Sequence, residues 1–193
     1  MAIEADKHKE LIRRIKQGAR PAFDELIEHY KTRGFAIAFS MTGNTEDARD
    51  VLQEACIKAY LGIRGFQERS QFYTWFLRIT INCSLDFLRK RKRANRVFVE
   101  LFSDEDESVK EPQAIDKNSG PAKMLIDNEI NCALEDCITQ LPEKQKTCFI
   151  LKHQNGLKIK EIAQALKCNP ATVKVHIFRA VRNLRKSLLR YKA

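Results

Sequence analysis

Apolar residues in this chain recur every three or four positions, and each run is closed by glycine, asparagine or proline; that punctuation constrains the fold more than any other feature. A short helix is expected from about Asp6 to Gly18. A second begins at Pro21, where proline costs no intrahelical bond, and carries Phe23, Leu26, Ile27, Tyr30, Ile37, Ala38 and Met41 as far as Gly43-Asn44. Thr45 is the expected N-cap of a third helix, with Ala48, Val51, Leu52, Ala55, Cys56 and Ala59 on one face. Its other face holds mainly Asp47, Asp50, Gln53, Glu54 and Lys58. After a polar loop, GIRGFQERS, a fourth helix starts near Gln71, stripes Phe72, Trp75, Phe76, Ile79, Cys83 and Phe87, and ends in the basic run LRKRKRANR. No run alternates apolar with polar residues, and no Asn-Gly hairpin sits between β-branched segments, so the fold class is all-α.

From Val97 the character inverts. Glu100, Asp104, Glu105, Asp106, Glu107, Glu111 and Asp116 crowd together with Pro112, Ser119, Gly120 and Pro121, and apolar periodicity is lost. Helical patterns resume at Lys123–Gln140, at Pro142 to about Asn155 with Gly156 as C-cap, at Ile159–Leu166 and from Pro170 onward. The expected organisation is two small helical domains, 1–96 and 123–193, joined by an acidic flexible linker over 97–122. Such a linker either tethers inertly or lays its carboxylates in a groove built for nucleic acid.

The 193 residues carry a formal charge of +10, which favours a polyanionic partner without distinguishing DNA, RNA or anionic lipid. The N-terminal MAIEADKHKE lacks the apolar run of a signal peptide, and no stretch approaches about 18 uncharged apolar residues, so a cytoplasmic location without direct membrane insertion is expected. Six cysteines include no C-x-x-C pair and suit small buried hydrophobes in a reducing compartment. Cys132, Cys137, Cys148 and His153 could be strung into a zinc set, but Cys132 and Cys137 fall on nearly opposite faces of one predicted helix and cannot meet one metal. Neither metal nor cofactor is expected. There is also no Gly-rich phosphate loop, no H-E-x-x-H and no nucleophile with a partner base, so the chain reads as a non-enzyme.

Residues 159–188, IKEIAQALKCNPATVKVHIFRAVRNLRKSL, carry the functional signal. Ile159, Ile162, Ala163 and Leu166 line one short helix, LKCN breaks it, and Asn169 caps the next with Pro170 at its first position. Val173, Ile177, Ala180, Leu184 and Leu188 complete the apolar stripe of that second helix. Two helices joined by a tight turn form a helix-turn-helix. At about 100° per residue, Val175, Phe178, Arg179, Arg182 and Lys186 lie opposite the stripe, with Lys174 and Arg185 at its margin. Between Lys160 and Ala193 there are nine Lys or Arg and one acid, Glu161, so this face awaits a polyanion. The apolar pair sits where a recognition helix meets base edges, and thymine offers a methyl group there.

The segment LPEKQKTCFILKHQNGLKIKEIAQALKCNPATVKVHIFRAVRNLRKSL resembles the C-terminal promoter-binding module of bacterial sigma factors of the extracytoplasmic-function (ECF) group. ARPAFDELIEHY, EDARDVLQEACIKAY and SQFYTWFLRITINCSLDFLRKRKR resemble the group's N-terminal module in the same order. The resemblance implies an alternative sigma factor that binds core RNA polymerase and promoter DNA, with an anti-sigma factor as a further partner. It implies that Asp50, Gln53 and Glu54 dock on the polymerase clamp helices. It assigns Phe66 and Asn82 to a base flipped from the minus-10 element, where stacking and edge hydrogen bonds would offset the unstacking cost. Trp75 also matches a family position, with a core role equally open. Lys174, Val175, Phe178 and Arg179 match positions that reach the minus-35 element, and Arg182 shares their face. Val175 stands where a small polar residue is common, and His176 where arginine is frequent. The acidic linker is similar to the segment that threads the RNA exit path. Two other readings compete: a stand-alone helix-turn-helix regulator binding paired half-sites, and an adaptor whose charged helices bind proteins.

Overall fold

The computed structural model describes residues 2–68, 70–102 and 133–191, and among these every regular element is helical. In chain order they are α1 (Ala2–Lys16), α2 (Arg20–Thr42), α3 (Thr45–Gly62), a 3-10 turn (Ile63–Gly65) and α4 (Phe72–Phe102). They continue as α5 (133–139), α6 (Glu143–Phe149), whose end widens into a π-helical turn (Ile150–Gln154), α7 (Ile159–Ala165) and α8 (Pro170–Tyr191). The chain divides into two compact units, Met1–Asp106 and Glu107–Ala193.

In the first unit α2, α3 and α4 pack on one another, and α1 covers α2. Leu26, Ile37, Val51, Phe76 and Ile81 are almost wholly enclosed, and Gly34 on α2 lets the helices approach closely. A Cβ at Gly34 would lie 2.9 Å from Leu52 Cδ1 and 3.0 Å from Phe76 Cε1. The buried hydroxyls of Thr80 and Ser84 donate to the carbonyls of Phe76 and Thr80 one turn earlier, so neither is orphaned.

Glycine supplies the left-handed backbone at Gly18 (φ 98°) and Gly43 (φ 74°), the ends of α1 and α2 expected from the sequence. The cap of α3 lies one residue earlier than expected. Asn44 Oδ1 accepts from the N–H groups of Glu46 (2.7 Å) and Asp47 (3.2 Å), while Thr45 is already helical. Asn44→Ala is therefore expected to cost about 1 kcal/mol, read as a lower thermal midpoint for this unit with the second unit unchanged. At its other end α4 passes the expected linker boundary and stays helical from Val97 to Phe102. No proline or glycine stands between Phe72 and Pro112 to stop it. The rest of the expected linker lies outside the described residues.

In the second unit α6 and α7 each pack against α8. Leu151, Ile162, Val173 and Ala180 form its centre, and Asn183 Nδ2 on α8 donates to Gln145 Oε1 on α6 at 2.9 Å.

Candidate nucleic-acid interface

The expected apolar stripe of α8 is buried at Val173, Ala180 and Leu184, while Ile177 and Leu188 are only half-buried. Asn169 Oδ1 accepts the Ala171 N–H at 2.8 Å, and Val173, Ala180 and Leu184 are buried at 0%, 0% and 5% exposure. The turn before it closes with Lys167 in the left-handed region (φ 52°) and the Cys168 N–H on the Ala163 carbonyl at 3.0 Å. The Glu161 carboxylate accepts the Lys158 N–H at 2.7 Å and fixes the start of α7.

On the opposite face Val175 is 45% and Phe178 69% exposed, and Lys174, Arg179, Arg182 and Lys186 are exposed beside them. None of these four cations has a carboxylate partner among the described residues. A row of unpaired cations around two apolar side chains can grip phosphates while presenting methyl- and ring-bearing groups to base edges. His176 Nδ1 is buried and has no hydrogen-bond partner among the described residues. Later turns of α8 add Val181 (45%) and Leu189 (63%) to the exposed apolar surface.

On α3 the small residues Ala48, Val51, Ala55 and Ala59 face inward with at most 1% exposure. Helical geometry then puts Asp50, Gln53, Glu54, Ile57 and Leu61 on the outer face. Asp50 and Gln53 are exposed and Glu54 half-buried, with its carboxylate 2.7 Å from Lys58 Nζ. That ammonium holds the Glu54 carboxyl below its usual range. Ile57 (53%) and Leu61 (72%) extend the same face as exposed aliphatics. Their residue type suggests a core position, although their spacing from Gln53 by four and eight places them on its stripe.

Phe66 and Asn82 are placed differently from each other. The Phe66 ring is only 5% exposed, 5.0 Å from Trp75 and 6.0 Å from Phe72 between centroids. It therefore offers no open face in this conformation and acts as the packed floor of the loop. Trp75 is half-buried, and its benzo edge lies over Gly62, where a Cβ would sit 3.4 Å from Cζ2. Along α4, Trp75, Arg78, Asn82, Asp86, Arg89 and Arg93 share one stripe. Asn82 is half-buried, and its amide has no hydrogen bond among the described residues. Arg89 pairs with Asp86 at 3.1 Å and Arg91 with Asp47 at 3.0 Å, whereas Lys92 and Arg93 have no carboxylate partner among the described residues. An aromatic, a free amide and cations thus follow one another along a single helix face.

Burial pushes the thiols of Cys56 and Cys83 up, and that of Cys148 up to about 11, which disfavours the nucleophilic thiolate at all three. Among the described residues no three His, Cys, Asp or Glu side chains converge on a metal position; Cys132 lies outside them. Nor is any described helix long and apolar enough to cross a membrane.

Two helical units with these faces match known families in the same order. Sigma-70 region 2 matches residues 26–94, and Sigma-70, region 4 matches residues 133–184. The ECF RNA polymerase sigma factor SigW of Bacillus subtilis is 31% identical over 180 residues, 93% of this chain and 96% of that protein. The RNA polymerase sigma-H factor of Pseudomonas aeruginosa is 31% identical over 183 residues, 95% of this chain and 94% of that one. The fold is also similar to that of CnrH, solved with the cytosolic domain of CnrY (TM-score 0.63, 20% identity, 97% of this chain and 99% of that one). It is likewise similar to the sigma factor RpoE of Bartonella quintana, solved with the anti-sigma factor NepR (TM-score 0.62, 21% identity, 86% and 96%). The chain belongs to the sigma-70 family, within the ECF group of RNA polymerase sigma factors.

Proposed function

We propose that this chain is a cytoplasmic alternative sigma factor that binds core RNA polymerase and directs initiation at its own promoters, leaving catalysis to the polymerase. The observation that carries the reading is the α8 face, where Val175 and Phe178 stand exposed among cations that lack carboxylate partners. The order of the two family matches supports a polymerase subunit over a stand-alone regulator, which would need no region 2.

Within this reading residues 123–193 recognise the minus-35 element through Lys174, Val175, Phe178, Arg179 and Arg182. Residues 1–96 bind polymerase and engage the minus-10 element, with 97–122 as the connection between the two. Asn82 supplies the free amide and Trp75 the accessible aromatic surface for a flipped base, with Phe66 beneath the loop. Asp50, Gln53 and Glu54 meet the polymerase, and Ile57 and Leu61 add the apolar centre that such a contact needs. The similarly folded sigma factor RpoE, solved with the anti-sigma factor NepR, supports an anti-sigma partner for this chain.

Gel filtration with sigma-free core polymerase tests the proposal, with co-elution expected. In the same assay Leu61→Asp should weaken association about tenfold and leave the melting temperature unchanged, because Leu61 is 72% exposed. Retention of duplex binding without co-elution would favour the stand-alone regulator instead.

A further inference from the structure

We infer that α1 braces the loop beneath the flipped-base site, and that Lys16 is a positioning residue acting on that loop through Glu68. The inference rests on the reading of Asn82 and the neighbouring loop as the minus-10 site.

Three observations converge on one short segment. First, α1, on which Leu11, Ile12 and Ile15 are buried, packs against the 3-10 turn Ile63–Gly65, and Ile63 itself is 1% exposed. Second, Lys16 Nζ, at the last residue of α1, lies 2.9 Å from Glu68 Oε1 across 52 residues of sequence. Third, Glu68 adopts φ 56°, a left-handed conformation that a glutamate holds only where its surroundings impose it.

Between the turn and Glu68 sits Phe66, with its N–H on the Ile63 carbonyl at 3.0 Å and its ring under Trp75. The loop is thus pinned at both ends, by the turn that α1 covers and by the ion pair. Pinning fixes the loop and the Phe66 floor on which the Trp75 ring rests before DNA arrives, which reduces the ordering required at the moment of base capture. A cation at the end of α1 would suit the helix dipole wherever it pointed, but that alone does not account for its choice of a carboxylate on a left-handed residue. Because both partners are partly exposed, the pair adds little to global stability, and its effect falls on the loop.

The test uses holoenzyme reconstituted with core polymerase, on the promoter it transcribes most strongly from sheared genomic DNA. Permanganate reactivity reports strand opening, and binding to the upstream duplex is measured separately. Lys16→Met and Glu68→Gln are each expected to lower the melted fraction about threefold to fivefold, the range an exposed ion pair can supply, with upstream binding unchanged. The exchanged pair, Lys16→Glu with Glu68→Lys, should restore most of the melting with an unchanged thermal midpoint in all variants, which would not follow if each side chain acted through other contacts. If both single variants melt DNA like the wild type while Asn82→Ala does not, α1 has no part in capture and the brace is overturned. If Asn82→Ala also melts normally, the minus-10 reading itself fails and the brace falls with it.

Discussion

Phe76→Ala is expected to remove about 3–5 kcal/mol from the first unit, the cost of deleting a fully enclosed aromatic and leaving its cavity. Phe76 is 0% exposed, stacks on Phe72 with centroids 6.3 Å apart, and abuts the site where any side chain at Gly34 would begin. It is therefore the residue on which α2 and α4 close together. A domain of this size has a total stability of about 5–15 kcal/mol, so the loss takes a large share of it. Calorimetry should show a transition for the first unit displaced downward by more than 10 °C, since each kcal/mol shifts the midpoint of a small domain by about 4–8 °C. A second transition, belonging to the unit that contains α8, should stay in place. If both move together, the two units unfold as one and the division of the chain at Asp106 does not describe its cooperativity.

What the sequence disclosed follows the physics of each signal. The α8 stripe and its basic reverse face were legible because helical periodicity is a local property, and Asn169-Pro170 marks the start of α8 by cap chemistry alone. Caps with two adjacent candidates are less legible: Asn44 and Thr45 both suit the role, and only the extended backbone at Asn44 (φ −140°) decides it. The Phe66 burial could not be read at all. Its residue type and its loop of glycines and charges suggest exposure, while the ring is held by Phe72 and Trp75, residues of the following helix. Ile57 and Leu61 were overlooked for the opposite reason. An aliphatic residue in an amphipathic helix suggests a core position, and only the inward Ala48–Val51–Ala55–Ala59 row shows that the core side was already occupied. Glu68 gives no sequence sign of its left-handed backbone, and its ion-pair partner Lys16 lies 52 residues away.

Arg179→Ala is expected to cost about 1–3 kcal/mol of promoter binding and to relax preference at one upstream base pair, as loss of a base-edge contact does. Arg179 is exposed and has no carboxylate partner among the described residues, so the change should leave folding stability within about 0.5 kcal/mol and the loss can be assigned to the complex. Phe178→Ala belongs to the same test: at 69% exposure its ring contributes little to the fold, so any large affinity change reports contact with DNA. Lys186 shares the face but lies two helical turns further along α8, where phosphate is the expected partner. Lys186→Ala should weaken binding equally on all sequences and reduce the salt slope by about 1. Titrations of the holoenzyme at several salt concentrations, on the promoter and on single upstream substitutions, separate the two behaviours. An unchanged base preference for Arg179→Ala would remove it from the base edges, and a sequence-selective loss for Lys186→Ala would move that residue onto them. Either reversal would tilt α8 in the groove or shift it along its own axis, because residues seven apart lie about 20° from each other around the helix and rotation would move both alike.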